Sequence, residues 1–382
     1  MAQRHTPLQL AADLSAAVRD TSITLWWRWP ILIAAGMTSR DSAELNRMVS
    51  EKVAAATSGT VAAPTEIDRL SVRMHKRTLL TMLIVPIATL TATAVFSQDK
   101  GSVDPKPLPP LVNPDDPELG AKELFGRKTS PAPLATHSIG FYDKGCLAGA
   151  KALPINGKTW QVMRPSLNRN WAHPDMVALL ERLSVKAHEV AGWPGLLVED
   201  MSQPRGGPML TGHASHQIGL DADIWLTPMP KRKLSRNERE GMSATNMVRA
   251  DRLDIDPAVW TPTHLLVIRA AAQEPRVERI FVNAAIKKAL CREAKGDRRW
   301  LAKIRPWYGH DSHFHVRITC PPGDSACTPQ PPPSGSEGCA SADLAYWFTE
   351  PVIYPKPSTA EPAPPITLSQ LPAACRQILL VP

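Results

Sequence analysis

Between Thr211 and Trp225 the chain reads Thr-Gly-His-Ala-Ser-His-Gln-Ile-Gly-Leu-Asp-Ala-Asp-Ile-Trp, which gathers His213, His216, Asp221 and Asp223 in one short stretch. Leu220, Ala222, Ile224 and Leu226 alternate with Asp221, Asp223 and Trp225, the pattern of a half-buried strand. Asp221 and Asp223 then share one face. Gly219 permits a turn just ahead of the strand, folding His216 back toward that face. A second stretch, Gly309 to Ile318, places His313, His315 and Arg317 on one side of a strand and Phe314, Val316 and Ile318 on the other. Five of the eleven histidines fall in these two windows. Two plain amphipathic strands with polar surface faces would not concentrate histidine in this way. His and carboxylate ligands with one position left to water make a catalytic zinc site, and His216, Asp223 and His315 can supply it. His313 shares the face of His315 and is the candidate general base. His213 is either a further ligand or a substrate contact. His310 and Asp221 are candidates to orient the ligands.

These residues carry a resemblance. The spacing His-x-x-Gly-x-x-x-Asp, with His-x-His far downstream, resembles the lysostaphin and D-Ala-D-Ala metallopeptidase group. The longer strings Gly-His-Ala-Ser-His-Gln-x-Gly-Leu-Asp-x-Asp-Ile and His-x-x-His-x-His-Val-Arg resemble one family within it, the penicillin-insensitive murein endopeptidases, from about Ile139 to Cys375. The resemblance implies an α+β fold: a small central antiparallel sheet, flanking helices and a disulfide-pinned, Pro-rich C-terminal tail. It implies Zn2+ as cofactor and hydrolysis of the D-alanyl-meso-diaminopimelate cross-link of peptidoglycan. The competing readings are a D,D-carboxypeptidase or dipeptidase of the same group, or a non-catalytic wall-binding module. The family's second metal sits on an Asp-x-x-His. Here the match is Asp251 and Asp254, with Asp in place of His. A helix N-terminal acidic cluster is the other reading of those two residues.

The six cysteines are even in number and include no Cys-x-x-Cys. Behind a signal sequence that count points to disulfides, and it leaves the pairing open. The resemblance implies Cys146–Cys375, Cys291–Cys339 and Cys320–Cys327. Met74-His-Lys-Arg77, the apolar run from Thr78 to Phe96 and the small residues Ala92-Thr-Ala94 read as a signal peptide over 74–97. An uncleaved anchor is the alternative. If the signal is cleaved there is no stable membrane anchor, and the mature protein is expected in the periplasm. Residues 1–73 read as an upstream extension, 98–135 as a Pro-rich linker, 136–320 as the catalytic domain and 321–382 as the Pro-rich tail. The net charge of +8 suits an anionic partner such as peptidoglycan. No aromatic-interleaved basic patch accompanies it, so nucleic acid is not expected.

Positioning elements follow from periodicity. Helical apolar spacing runs from Asp175 to Val190, and helices over 262–272 and 284–294 flank a strand over 277–282. Gly195 to Val198 reads as a short strand leading to Asp200. Arg305-Pro-Trp-Tyr-Gly309 sets an aromatic edge beside the histidines. Arg164 and Arg169 either hold a substrate carboxylate bidentately or form internal salt bridges.

Overall fold

The computed structural model describes residues 108–357 and 361–382. The expected signal peptide and the upstream extension lie outside the described residues.

A short helix α1 (Ala121–Phe125) comes first, then the hairpin β1 (His137–Phe141) and β2 (Lys144–Ala148). Short strands β3 (Lys151–Ala152) and β5 (Trp171–Ala172) pair on either side of β4 (Trp160–Val162) in the chain. Helix α2 (Pro174–Ala191) follows, then β6 (Leu196–Val198) and β7 (Asp221–Trp225). After α3 (Arg236–Gly241) come α4 (Pro262–Gln273), β8 (Val277–Val282), α5 (Ala284–Glu293), β9 (Ile304–Pro306) and β10 (His313–Ile318). The tail adds α6 (Ser341–Ala345), α7 (Glu350–Ile353) and α8 (Ala374–Leu380).

The central sheet has six strands in the order β4-β6-β7-β10-β8-β9. It is mixed, not wholly antiparallel as expected. Its inner strands run antiparallel, but β4 joins β6 and β9 joins β8 in parallel. Each parallel pair is separated in sequence by a helix, α2 or α5, which supplies the crossover that a parallel pair needs.

One face of the sheet is apolar. Ala222 and Ile224 of β7, Phe314 and Val316 of β10, and Ile280 and Val282 of β8 join Leu179, Leu180 and Leu183 of α2 and Val267 and Ile268 of α4 in one core. Helix α2 has the ends its sequence dictates. Pro174 sits in the first turn, His173 Nδ1 accepts from the Asp175 amide, and Gly192 closes the helix at φ 68°. The opposite face of β7 and β10 carries the histidines and carboxylates. It is covered as well, so β7 is buried along its whole length and not half-buried.

The two Pro-rich stretches carry short helices. Within the expected linker, α1 buries Ala121 and Phe125. In the Pro-rich tail, α8 buries Cys375, Ile378 and Leu379. Together with Cys146, Ala148 and Leu371 they build a second core. These elements are too short for their periodicity to stand out from a Pro-rich background. The Arg205 side chain caps α8, donating to the carbonyls of Ile378 at 2.8 Å and Leu379 at 3.0 Å. Disulfides join Cys146 to Cys375, Cys291 to Cys339 and Cys320 to Cys327. No helix among the described residues is long and apolar enough to cross a membrane.

Candidate metal centre

The site sits on the polar face where β7 and β10 lie side by side. Antiparallel register sets His315 opposite Asp223 and Arg317 opposite Asp221, and directly paired residues project to the same side. The loop before β7 returns His216 to that face. Gly219 makes the return possible: its φ is +72°, and a Cβ there would stand 2.5 Å from Leu147 Cδ2 and 2.8 Å from the His173 amide nitrogen. His216 itself adopts φ 68°, a left-handed backbone that an L residue holds only where its surroundings fix it.

The hydrogen bonds determine which ring nitrogens are free. His216 is fully buried, and its Nδ1 lies 2.6 Å from the Met201 carbonyl oxygen. A carbonyl only accepts, so Nδ1 carries the hydrogen and Nε2 presents a lone pair. Burial pushes the His216 pKa down to about 3, which keeps the ring neutral. His315 Nε2 donates to Asp221 Oδ1 at 2.8 Å, so its Nδ1 is the nitrogen turned to Asp223, 3.1 Å from Oδ1. Asp223 Oδ1 and His216 Nε2 are both buried without a hydrogen-bond partner. His213 Nδ1 comes within 3.4 Å of Asp223 Oδ2, and its Nε2 pairs with Asp200 Oδ2 at 2.9 Å. Ligand atoms of His213, His216 and Asp223 all lie within 4.8 Å of one another. An orphaned imidazole nitrogen on His216 and an orphaned carboxylate oxygen on Asp223, converging with a second imidazole, are what a divalent cation neutralises, so the residues present fit a metal.

The carboxylates are held ionised. Burial works against the charge of Asp221, but Arg317 and His315 outweigh it and keep its carboxyl well below the usual range. Burial also opposes Asp223, and the surrounding histidines, His216 first, hold its pKa low. Burial opposes a charge on His213 too, yet Asp223 and Asp200 raise it to about 9. His313 Nε2 stands 3.8 Å from Asp223 Oδ2, with about a fifth of its side chain exposed. His310 lies beside it at a ring-centroid distance of 4.8 Å, its Nδ1 on the Tyr308 carbonyl at 2.7 Å.

Other candidates are placed differently. Arg164 pairs with Glu199 and lies over the Trp225 ring, and Arg169 pairs with Asp200 at 2.9 Å, so both guanidinium groups are engaged in internal ion pairs. Asp251 faces Arg249 at 2.7 Å, and Asp254 faces Arg292 at 2.9 Å and Lys288 at 3.4 Å. Positive charge is already supplied to both. The ligand group within 4.8 Å among the described residues is His213, His216 and Asp223; it includes neither these two nor His315, which joins it only through Asp223. Asp200 is the site residue that sequence reasoning missed. It follows β6 and bonds both His213 and Arg169, and its position just past a buried apolar strand was the available signal.

A family model described as penicillin-insensitive murein endopeptidase matches residues 138–380. The chain belongs to that family. A relative of that name from Haemophilus influenzae is 48% identical over 246 residues, covering 64% of this chain and 82% of the relative. One from Escherichia coli strain SE11 is 42% identical over 251 residues, covering 66% and 89%. Membership makes this protein a peptidase acting on peptidoglycan. The matched span takes in every histidine and carboxylate of the site and all six cysteines.

Proposed function

We propose that the protein is a zinc-dependent endopeptidase that hydrolyses the D-alanyl-meso-diaminopimelate cross-link of peptidoglycan. The observation that carries the metal is the buried, unpartnered pair His216 Nε2 and Asp223 Oδ1, with His315 Nδ1 3.1 Å from that oxygen. A zinc ion held there supplies a Lewis acid for the scissile carbonyl and makes water acidic enough to attack near neutral pH. Asp221 keeps His315 in the tautomer that leaves Nδ1 free, and the Met201 carbonyl does the same for His216 Nε2. His313 is partly open to solvent on the same face, and its Nε2 takes the attacking water's proton and delivers it to the leaving amine. His310 flanks His313, ring centroids 4.8 Å apart. His213 stands at the solvent-facing side as a further ligand or a substrate contact.

A periplasmic location is supported by the three disulfides and by a wall substrate. The test is digestion of purified cross-linked muropeptides with and without chelator. The expected result is conversion of dimers to monomers, lost on chelation and restored by zinc. Release of a terminal D-alanine alone would indicate a carboxypeptidase instead, and chelator-insensitive cleavage would refute the metal.

A further inference from the structure

The face that carries the metal ligands does not end at β10. Asp223 pairs with His315, His315 with Phe281, and Phe281 with Arg305, so one row of side chains crosses β7, β10, β8 and β9. A second row runs Asp221, Arg317, Arg279. Paired residues share a side of the sheet, so Arg305 stands two strands from His315, roughly 10 Å away. A cavity of about 340 Å3 opens at that place, between β8, β9 and the tail. Arg279, Lys287 and Arg305 line it together with Phe281, Trp307 and Trp347. The Phe281 ring is the shared wall, 5.2 Å from the His315 ring centroid.

The charges in this cavity are not balanced. No ion pair or hydrogen bond engages the Arg305 guanidinium among the described residues. Arg279 donates to the Pro331 carbonyl, but its Nε is buried without a hydrogen-bond partner, and the Glu278 carboxylate stands 4.0 Å from it. Among the described residues Asp343 is the one acid in the lining, against three cationic side chains, and its carboxylate accepts from the Ala340 amide at 3.1 Å. Burial, and after it the charge of Arg305, push Lys287 down to about 7, against the opposing pull of Glu337 and Asp343.

We propose that this cavity is a substrate subsite for a carboxylate on the peptide stem, held by Arg305 and Arg279 two strands away from His315. The planar guanidinium fork matches a carboxylate in two parallel hydrogen bonds. Trp307 and Trp347 in the lining offer apolar surface to the stem's aliphatic part. The metal end of the site would then set where the chain is cut, and the arginine end which chain is accepted. This inference rests on the endopeptidase reading above.

The test pairs two substrates, a cross-linked dimer with free stem carboxylates and the same dimer with those carboxylates amidated, against wild type, Arg305→Gln and Arg305→Lys. Binding of an uncross-linked stem peptide and of its amide to chelator-treated protein is measured by calorimetry. Wild type is expected to prefer the free acid in both assays. Arg305→Gln should raise KM for the free acid about tenfold with kcat little changed and lose the preference, and Arg305→Lys should keep much of it. Equal handling of acid and amide by wild type, or a preference that survives Arg305→Gln, would overturn the subsite. If wild type cleaves neither dimer, the hydrolytic reading fails, and the calorimetry still decides the subsite.

Discussion

Asp221 and His315 are joined at 2.8 Å, carboxylate Oδ1 to imidazole Nε2, and the same carboxylate also takes the His216 amide on Oδ2 at 3.1 Å. One side chain therefore fixes two candidate ligands, while Arg317 Nε, 2.7 Å away, holds its charge in place. Asp221→Ala is expected to weaken metal binding about 10–100-fold, the usual cost of losing such a partner. It also strips the buried Arg317 of its counter-charge, which typically costs about 3–5 kcal/mol. Chelator competition and urea denaturation measure the two effects. Unchanged zinc affinity would remove Asp221 from the orienting role.

His315 and His313 flank Phe314 on one strand but stand differently toward Asp223. His315 Nδ1 is 3.1 Å from Oδ1, buried, whereas His313 Nε2 is 3.8 Å from Oδ2 and partly open. His315→Ala should lose zinc and activity together. His313→Ala should retain zinc and lose about 10²–10⁴-fold in turnover, the usual worth of general acid-base help. Metal analysis beside muropeptide cleavage separates the two. Zinc lost from His313→Ala and kept by His315→Ala would reverse the roles.

Lys287 gives a pH signature outside the metal centre. Its ammonium is buried and donates to the Leu301 carbonyl at 2.8 Å, and burial lowers its pKa from 10.5 to about 7. Between those values the unfolded chain holds a proton that the folded chain lacks, so this group makes stability rise with pH across that window. Below pH 7 both states are protonated and the full cost of the buried charge is carried. Melting curves of wild type and Lys287→Met from pH 6.5 to 9.5 should show wild type gaining on the variant as pH rises. Parallel curves would mean that the lysine titrates normally.

The Cys146–Cys375 bridge closes the longest loop of the three, a separation of 229 residues. Replacing both cysteines by alanine should cost about 2–5 kcal/mol. Hydrogen exchange should rise first in α8 and β2, which the bridge joins. A melting temperature unchanged by the double substitution would show that the second core holds α8 without it.

The site was more legible in the chain than the fold around it. Asp221, Asp223, His313 and His315 stand out because both strands alternate in phase with their chemistry, and His213 and His216 because they crowd the loop just ahead of β7. The strand over 277–282 and the helix after Pro174 were equally plain from periodicity. Edge strands β4 and β9 were not: three residues carry no period, and whether they join in parallel depends on crossovers through α2 and α5. Asp200 was missed because its partner His213 lies across a loop that no local pattern describes. The arginine cavity needs tail residues such as Trp347, whose Pro-rich surroundings gave no hint of a fixed place.

The second core draws on both flanks of the folded region: Ala121 and Phe125 from one, Leu371, Cys375, Ile378 and Leu379 from the other. Arg205 in the middle waits for the carbonyls of the last helix. A chain emerging N-terminus first can pair β1 with β2 early, but it cannot complete that core, or present Cys375 to Cys146, until Leu371 to Leu379 are clear of the ribosome. Completion of this fold therefore waits on a segment 229 residues beyond Cys146, so the lock on a wall-cutting enzyme closes late.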